Sequence, residues 1–290
     1  MIGKEKSLTG IVVATLTPYE QDGRVDYGLA REHVAWLVEA GISVVAPVGT
    51  TGEFLYLSEE EKAALVRAAV AGAGGRARVI AGIWARDPAE VRRLGRAAAD
   101  AGADAVYLTT PIYYPHSDDS LYRWYANARA ATPLPLLCYN IPQYARNELS
   151  VSLVERLVAG GIVEGIKDST GKEERLMALL AAVGKRTLVY GASDSFALRS
   201  RHLGAHGFVS ALANIYPRAF LRIWQRDASA QAAIDRIRAA VKGYGGIAGL
   251  KHLLARRGFP FGDTRLPFSE LSPAGRTELD RILADLGELD

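Results

Sequence analysis

The stretch Gly165-Ile166-Lys167-Asp168-Ser169-Thr170 follows a short apolar run and precedes a helical pattern that begins near Lys172. This order predicts a strand that ends at a lysine and then turns into a helix. In a (β/α)8 barrel, the chemistry takes place at the end where strands give way to helices. The run Leu136-Leu137-Cys138-Tyr139-Asn140 has the same form and lies about one strand–helix unit earlier in the chain. We therefore expect Tyr139 and Lys167 on neighbouring strands, with both side chains in one cavity.

A phenol beside a buried amine provides what imine chemistry needs, which is a nucleophile and a proton shuttle. Burial favours the neutral form of a lysine, and the neutral amine is the nucleophile. The alternatives are that Lys167 is a surface lysine, as most lysines are, and that Tyr139 is a core tyrosine with a satisfied hydroxyl. Strand alternation directs Gly165 and Lys167 to one face and Ile166 to the other. It also directs Cys138 away from the cavity, so we interpret this cysteine as inert packing.

The composition excludes several classes of protein. The formal net charge of +3 and the absence of any Lys/Arg run of five argue against a nucleic-acid surface. One cysteine excludes an intramolecular disulfide framework and suits a reducing compartment. Residues 1–6 lack the apolar core of a secretory signal, and no apolar run is long enough to span a membrane. We expect a soluble cytoplasmic protein.

Eight short apolar runs alternate with stretches that have helical apolar spacing, which is typical of a parallel sheet covered on its outside. The predicted strands are Ile11–Thr15, Ser43–Pro47, Arg78–Ile83, Ala105–Leu108, Leu136–Tyr139, Ile162–Ile166, Thr187–Tyr190 and Gly207–Val209. Proline removes a ladder hydrogen bond, so we expect the second strand to end at or just before Pro47. The fold class that follows is an α/β (β/α)8 barrel.

The chain has 290 residues, and α/β barrels of this length often form one domain. Eight strand–helix units use the chain to about residue 222. The remainder has no strand signal but contains helical patterns at Gln231–Val241 and Gly275–Leu286. We therefore predict a catalytic barrel over residues 1–222 and a C-terminal helical extension over residues 223–290.

The loop Gly49-Thr50-Thr51-Gly52-Glu53 follows the second predicted strand. Two glycines bracket two hydroxyls, which lets the backbone turn its N–H groups toward one point and hold a carboxylate. The alternative is an ordinary strand-to-helix turn. The position at the carboxyl end of a barrel strand favours binding.

Other motifs are less specific. The loop Thr110-Pro111-Ile112-Tyr113-Tyr114-Pro115-His116 carries two phenols and is compatible with a packed surface loop or a subunit contact. His202 and His206 are separated by Gly204 and would not share a helix face, so we expect no metal site. The sequence contains no phosphate loop or dinucleotide fingerprint. We interpret Glu59-Glu60-Glu61 and Asp118-Asp119 as solvated helix starts.

Three of these motifs occur together in a known family. The chain resembles the dihydrodipicolinate synthase / N-acetylneuraminate lyase family of class I aldolases through Gly49-Thr50-Thr51-Gly52-Glu53, Tyr139-Asn140-Ile141-Pro142 and Gly165-Ile166-Lys167-Asp168. Each motif alone is weak, but their ordered set at the ends of barrel strands is specific. The resemblance runs from Gly10 to Phe268. It implies a TIM barrel with a helical C-terminal extension, a homotetramer, and no metal in the chemistry.

The resemblance also implies roles for individual residues. Lys167 matches the lysine that forms a Schiff base with the ketone of pyruvate, so no cofactor is needed. Tyr139 matches the tyrosine that moves protons while the carbon–carbon bond is made or broken. Tyr113 matches a tyrosine that reaches across a subunit interface in many members.

Further matches concern substrate binding. Thr50 and Thr51, bracketed by Gly49 and Gly52, match the loop that grips the pyruvate carboxylate and relays protons. Val209 matches the position on the eighth strand whose backbone carbonyl lies near bound pyruvate.

Two positions depart from the synthase pattern. Synthases usually carry an arginine two residues after the proline of the Tyr-Asn-x-Pro motif, where this chain has Tyr144, and Arg146 lies two residues further on. Synthases usually read Tyr-Tyr-Asn after the fourth strand, where this chain reads Tyr113-Tyr114-Pro115, which resembles the sugar-acid lyases and aldolases. Tyr144 is therefore a candidate substrate contact.

These observations favour a class I aldolase that joins or splits pyruvate and an aldehyde, with a 2-keto-3-deoxy sugar acid as the expected substrate. The enzyme alternatives are a dihydrodipicolinate synthase, which condenses pyruvate with aspartate semialdehyde, and a sugar-acid dehydratase that uses the same imine. A non-catalytic barrel that binds pyruvate is the alternative from another class. The expected partners are a small 2-oxo acid and an aldehyde, with no nucleic acid and no membrane.

Overall fold

The computed structural model describes residues 8–286 and residue 289, and the strands within them form one closed barrel. Among these residues the eight strands, β1 to β8 in chain order, are Gly10–Ala14, Val44–Ala46, Arg78–Gly82, Ala105–Thr109, Leu136–Asn140, Gly165–Asp168, Leu188–Ala192 and Gly207–Ser210. Each strand pairs in parallel with the next, and β8 closes the barrel on β1. The predicted (β/α)8 barrel is confirmed.

Helices cover the outside of the barrel and continue beyond its last strand. The helices that lie between or directly after strands are α1 Tyr27–Glu39, α2 Glu59–Ala73, α3 Pro88–Asp100, α4 Asp118–Ala131, α5 Pro142–Ala145, α6 Val151–Ala159, α7 Glu173–Val183, α8 Ala197–Leu203 and α9 Pro217–Trp224. Three more follow, α10 Ala228–Gly243, α11 Ile247–Ala255 and α12 Pro273–Leu286. No helix in the described part of the chain is long and apolar enough to cross a membrane.

The strands bury side chains on both faces, which is why they read as nearly continuous apolar runs. One buried cluster fills the barrel interior and includes Tyr107, Tyr139 and Val209. The larger cluster lies between the strands and the helices and includes Cys138 and Ile166. Burial raises the pKa of the Cys138 thiol to about 12, so the thiol stays protonated near neutral pH, which supports its interpretation as packing.

The predicted helix starts are found at the ends of strand-to-helix loops. At α2, the Ser58 hydroxyl accepts from the Glu61 amide while the Glu61 carboxylate accepts from the Ser58 amide, which is a capping box. At α4, Asp118-Asp119 forms the first turn. The interpretation of Glu59-Glu60-Glu61 as a solvated helix start is incomplete, because the Glu61 carboxylate also accepts from the Arg265 guanidinium.

The sixth strand was predicted at Ile162–Ile166, and this placement is wrong by about three residues at its start. Gly161 has a left-handed φ of 62°, and the Ile162 amide donates to the Leu157 carbonyl of α6, so this segment still closes the preceding helix. The strand therefore runs over Gly165–Asp168 and contains Lys167 rather than ending before it. The second strand ends at Ala46, before Pro47, as predicted.

The region after the barrel contains three helices and no strand among its described residues. The patterns at Gln231–Val241 and Gly275–Leu286 lie within α10 and α12, whereas α11 was not predicted. α10 packs against α9 and against the one-turn 3₁₀ helix Asp194–Phe196 that follows β7. The division at residue 222 stays a prediction, and the prediction about residues 1–6 lies outside the described residues.

Candidate active site

Lys167 and Tyr139 lie side by side at the carboxyl end of the barrel. They are opposite each other in the register of β5 and β6. The Lys167 Nζ atom lies 3.9 Å from the centroid of the Tyr139 ring, and both side chains are buried. Both line the same cavity. The expected neighbourhood is confirmed, while the catalytic roles stay predictions.

The residues that follow this pair in each strand hold the two strand ends together. The Asn140 amide nitrogen donates to an Asp168 carboxylate oxygen at 2.8 Å, and its oxygen accepts from the Leu149 amide at 2.9 Å. The Arg175 Nε atom donates to the same Asp168 oxygen at 2.6 Å. Since alternation sends Asn140 and Asp168 to the face opposite the cavity, this network fixes the phenol and the amine without occupying the space between them.

Tyr107 is a third interior residue of the site, and the sequence reasoning missed it. Its ring packs edge-on against Tyr139 with the centroids 5.9 Å apart, and its hydroxyl donates to the Pro47 carbonyl at 3.4 Å. Burial raises its pKa well above the usual range, so it stays protonated. A side chain at Gly49 would collide with the Tyr107 hydroxyl, which gives Gly49 a packing role. Alternation along β4 was the available signal, since it directs residues 105, 107 and 109 inward.

Left-handed residues bracket the loop after β2. Val48 and Glu53 have φ angles of 61° and 58°, and a β-branched residue in this region is a backbone outlier. Such strain costs about 1–3 kcal/mol per residue and is found at functional sites. The loop places the Thr50 hydroxyl 3.3 Å from the Tyr139 hydroxyl. Thr50 and Thr51 both line the cavity.

A buried ion pair anchors this loop to the C-terminal helices. The Lys251 Nζ atom of α11 lies 2.8 Å from the Glu53 carboxylate, and both side chains are almost fully enclosed. The Arg265 amide donates to the other Glu53 oxygen at 2.9 Å, and Lys251 also donates to the Asp263 carbonyl at 2.9 Å. Burial lowers the pKa of Lys251, and the Glu53 carboxylate opposes that shift. The loop that carries Thr50 and Thr51 is thus held by residues far away in sequence.

Replacing Lys251 by methionine leaves the Glu53 carboxylate buried without its cation. Removing one partner of a buried pair costs about 3–5 kcal/mol, and we expect a loss of that size in the free energy of unfolding. Chemical denaturation measures it. Lys242→Met, which removes an exposed lysine at the end of α10, serves as the matched control. A Lys251→Met variant as stable as this control would contradict the anchoring role of the pair.

The cavity at the mouth of the barrel has a volume of about 720 Å³. Strand ends and their loops form most of its wall, and α10 and α11 supply the rest through Arg238, Ile247 and Leu250. The sequence reasoning did not identify Arg238, because nothing in the local pattern of α10 shows that it returns to the barrel mouth. This volume lies within the range of small-molecule sites.

The other predicted site residues fall into three groups. Val209 lines the cavity and is buried, and Tyr144 lines it from the rim with 72% of its side chain exposed. Gly49 and Gly52 belong to the loop after β2 but do not line the cavity; Gly52 packs against the Thr15 carbonyl just beyond β1, and its own carbonyl accepts from the Thr17 hydroxyl. Tyr113 is 77% exposed and does not line the cavity of this single chain, so its predicted role requires a second subunit.

Within the described part of the chain, no three His, Cys, Asp or Glu side chains cluster closely enough to hold a metal ion. Non-glycine residues with left-handed backbone concentrate at the barrel mouth, in the loops that follow β2, β4, β5 and β7. They are Val48, Glu53, Tyr113, Arg146 and Ser193. This concentration, together with the cavity and the Lys167–Tyr139 pair, marks the carboxyl end of the barrel as the candidate active site.

Comparison with known proteins finds similarity over almost the whole chain. The profile of the dihydrodipicolinate synthetase family matches residues 7–286. An uncharacterised DapA-like lyase of Halobacterium salinarum is 33% identical over 99% of this chain and 97% of its own length. A 4-hydroxy-tetrahydrodipicolinate synthase of Anaeromyxobacter dehalogenans is 31% identical over 97% of this chain and 98% of its own.

A solved structure is similar to this chain over nearly its whole length. The crystal structure of a dihydrodipicolinate synthase from Acinetobacter baumannii in complex with pyruvate superposes with a TM-score of 0.90 at 32% sequence identity. The match covers 96% of this chain and 99% of the other. The resemblance drawn from three short motifs therefore extends over almost the whole molecule.

Proposed function

The chain belongs to the dihydrodipicolinate synthetase family, whose members are lyases, and from this premise we propose that it makes or breaks a carbon–carbon bond between pyruvate and an aldehyde through a lysine imine. The single observation that carries the proposal is the contact of the Lys167 amine with the Tyr139 ring inside the cavity. Lys167 is the nucleophile, Tyr139 is the acid–base group, and no cofactor is required.

In the cleavage direction, the Lys167 amine adds to the C2 ketone of a 4-hydroxy-2-oxo acid and water leaves, which gives a protonated imine. The Tyr139 phenol supplies the proton with which that water leaves, and the resulting phenolate then takes the proton of the C4 hydroxyl. The C3–C4 bond then breaks and the aldehyde departs. The two electrons of that bond move toward the imine nitrogen, which gives the enamine of pyruvate. Protonation at C3 and hydrolysis release pyruvate and restore the amine. The Thr50 hydroxyl, 3.3 Å from the Tyr139 hydroxyl, is placed to relay the proton.

The loop after β2 is the proposed site for the pyruvate carboxylate. Its Gly52 and Glu53 amides donate within the loop, to the carbonyls of Gly49 and Thr50. In the described residues, no backbone carbonyl accepts from the Thr50 and Thr51 amides. Two amides and the Thr51 hydroxyl are thus available to an anion at the end of β2, which supports carboxylate binding. The Val209 carbonyl is proposed to lie near the bound pyruvate.

The substrate we favour is a 2-keto-3-deoxy sugar acid. Hydroxyl side chains are frequent in the cavity lining, with Thr50, Thr51, Tyr144, Ser169, Thr170, Ser193 and Ser210 among them. A polyhydroxylated chain fits such a wall, because each of its hydroxyls can find a partner and none is buried unpaired. Tyr144, a neutral donor, stands where the synthases place an arginine for a carboxylated aldehyde.

The test compares two kcat/KM values on one preparation. We expect cleavage of a keto-deoxy sugar acid to have the higher value and condensation of aspartate semialdehyde the lower, because the hydroxyl side chains of the lining can pair with the several hydroxyls of the sugar acid, which aspartate semialdehyde lacks. Tyr144→Arg should move the preference toward aspartate semialdehyde, since a guanidinium pairs with a carboxylate through two hydrogen bonds. Efficient condensation of aspartate semialdehyde without any cleavage of a sugar acid would overturn this proposal and favour the synthase.

The second candidate function is 4-hydroxy-tetrahydrodipicolinate synthesis. It is supported by the relative from Anaeromyxobacter dehalogenans, which carries that name at 31% identity over nearly full length. Both candidates use the same imine with pyruvate and differ only in the aldehyde. We further propose a homotetramer, in which the exposed Tyr113 would meet the site of a neighbouring subunit.

A further inference from the structure

Arg238 brings a positive charge to the cavity from outside the barrel. It lies on α10, lines the cavity, and has 34% of its side chain exposed. Its nearest carboxylate is that of Asp194, and their closest atoms are 4.0 Å apart, beyond hydrogen-bond distance. Among the described residues, the guanidinium makes no hydrogen bond. An arginine presents five donors, so this one is available to a ligand.

Asp194 cannot turn to satisfy Arg238, because other groups hold it. One of its carboxylate oxygens accepts from the Ser210 hydroxyl at 2.6 Å and from the Ala211 amide at 3.2 Å. Burial raises the pKa of Asp194, while Ser210 and Arg238 oppose that shift. Asp194 therefore orients the Arg238 guanidinium without accepting a hydrogen bond from it, and the N–H donors of Arg238 stay unused.

α10 is fixed relative to the barrel mouth, so the position of Arg238 is fixed as well. The Gln231 side chain, two turns before Arg238, donates to the Asp194 carbonyl at 3.0 Å and accepts from the Leu198 amide at 2.9 Å. Both partners belong to the segment that follows β7. The guanidinium is thus held on a preorganised wall, and preorganisation reduces the entropic loss of binding.

The other charges that face the cavity do not neutralise Arg238. Lys172 lines the same cavity and adds positive charge. Glu148 is the other acidic residue of the lining besides Asp194, and it pairs with Arg175 at 3.2 Å. The Lys167 amine is consumed in the proposed imine. An anion on the substrate therefore finds a partner at the wall formed by α10.

We infer that Arg238 determines specificity by binding a terminal anionic group on the aldehyde half of the substrate, an inference that rests on the proposed function. The pyruvate carboxylate is assigned to the loop after β2, so this group is a second anion, at the opposite end of the carbon chain. The substrate class is thus a keto-deoxy sugar acid that ends in a carboxylate or a phosphate. Arginine binds both groups through paired hydrogen bonds.

Condensation of pyruvate with three matched aldehydes tests the inference. Glyceraldehyde, tartronate semialdehyde and glyceraldehyde 3-phosphate differ only in their terminal group, which is a hydroxymethyl, a carboxylate and a phosphate ester. We expect kcat/KM for one charged aldehyde to exceed that for glyceraldehyde by roughly 10- to 100-fold, the effect of charge-assisted hydrogen bonds. The charged aldehyde with the higher value identifies the anion. Arg238→Met should bring this ratio close to one, and Arg238→Lys should leave an intermediate ratio.

Arg236→Met is the control, because Arg236 lies on the same helix, pairs with Asp285 at 3.6 Å and does not line the cavity. It should leave the ratio unchanged. Borohydride trapping of pyruvate on Arg238→Met shows that the cavity is folded. The inference about Arg238 is overturned if the ratio of kcat/KM for the charged aldehyde to that for glyceraldehyde is near one in the wild-type protein, or if a high ratio persists in Arg238→Met. Either result leaves the proposed function standing. Absence of product from all three aldehydes contradicts the proposed function as well.

Discussion

We expect replacement of Lys167 by arginine to abolish the covalent adduct that borohydride should trap between pyruvate and the wild-type protein. A guanidinium stays protonated and has no free amine to form an imine. On the wild-type protein the adduct should add the mass of a reduced pyruvyl group to one peptide, the one that contains Lys167. Mass spectrometry after proteolysis measures both its amount and its position, and we expect no adduct and no turnover from Lys167→Arg.

Lys185→Arg is the matched control, because Lys185 is an exposed lysine outside the cavity lining. This variant should trap pyruvate as the wild-type protein does. An adduct on Lys172 or Lys185 of the wild-type protein would reassign the nucleophile. Lys172 is the critical comparison, since it lines the same cavity as Lys167.

We expect Tyr139→Phe to lower kcat by about 10²–10⁴-fold, the range that general acid–base groups contribute. The phenylalanine ring keeps the packing against Lys167 and Tyr107 but removes the hydroxyl that faces Thr50. The nucleophile remains, so the trapped pyruvate adduct still forms, at a lower rate. Steady-state kinetics and the trapping time course on one preparation separate these two effects.

Tyr190→Phe controls for the loss of a buried phenol hydroxyl in the barrel interior. Its hydroxyl donates to the Leu8 carbonyl at 2.7 Å and has no place in the proposed chemistry. We expect this variant to lose stability while kcat changes little. Near-normal turnover of Tyr139→Phe would mean that Tyr139 is a core residue only.

Local sequence pattern predicted the barrel and its central pair because both depend on short-range features. Apolar runs at regular spacing located all eight strands, and alternation within two of them placed Tyr139 and Lys167 in one cavity. The error at the sixth strand arose where an apolar segment, residues 161–163, completes a helix instead of starting a strand. Apolar residues serve either purpose, so the pattern alone did not decide between them.

Residues whose position depends on long-range packing were not predicted. Lys251 and Arg238 lie on helices that return to the barrel mouth, and their contacts with Glu53 and Asp194 span many residues of chain. Alternation along β4 directs Tyr107 inward, but it does not show that the Tyr107 ring packs against Tyr139. The roles of Tyr113 and Tyr144 depend on a second subunit and on the aldehyde.

The wall that α10 and α11 add to the cavity allows substrate specificity to evolve separately from the proposed catalytic residues. Lys167, Tyr139 and the loop after β2 belong to the barrel, whereas Arg238, Ile247 and Leu250 stand on helices that contribute no strand to it. Mutations in residues 228–255 can therefore reshape the far end of the cavity while the residues proposed for the imine reaction are inherited unchanged. Lys251 is the exception in that segment, because a lineage that loses it also loses the counter-ion of the loop after β2.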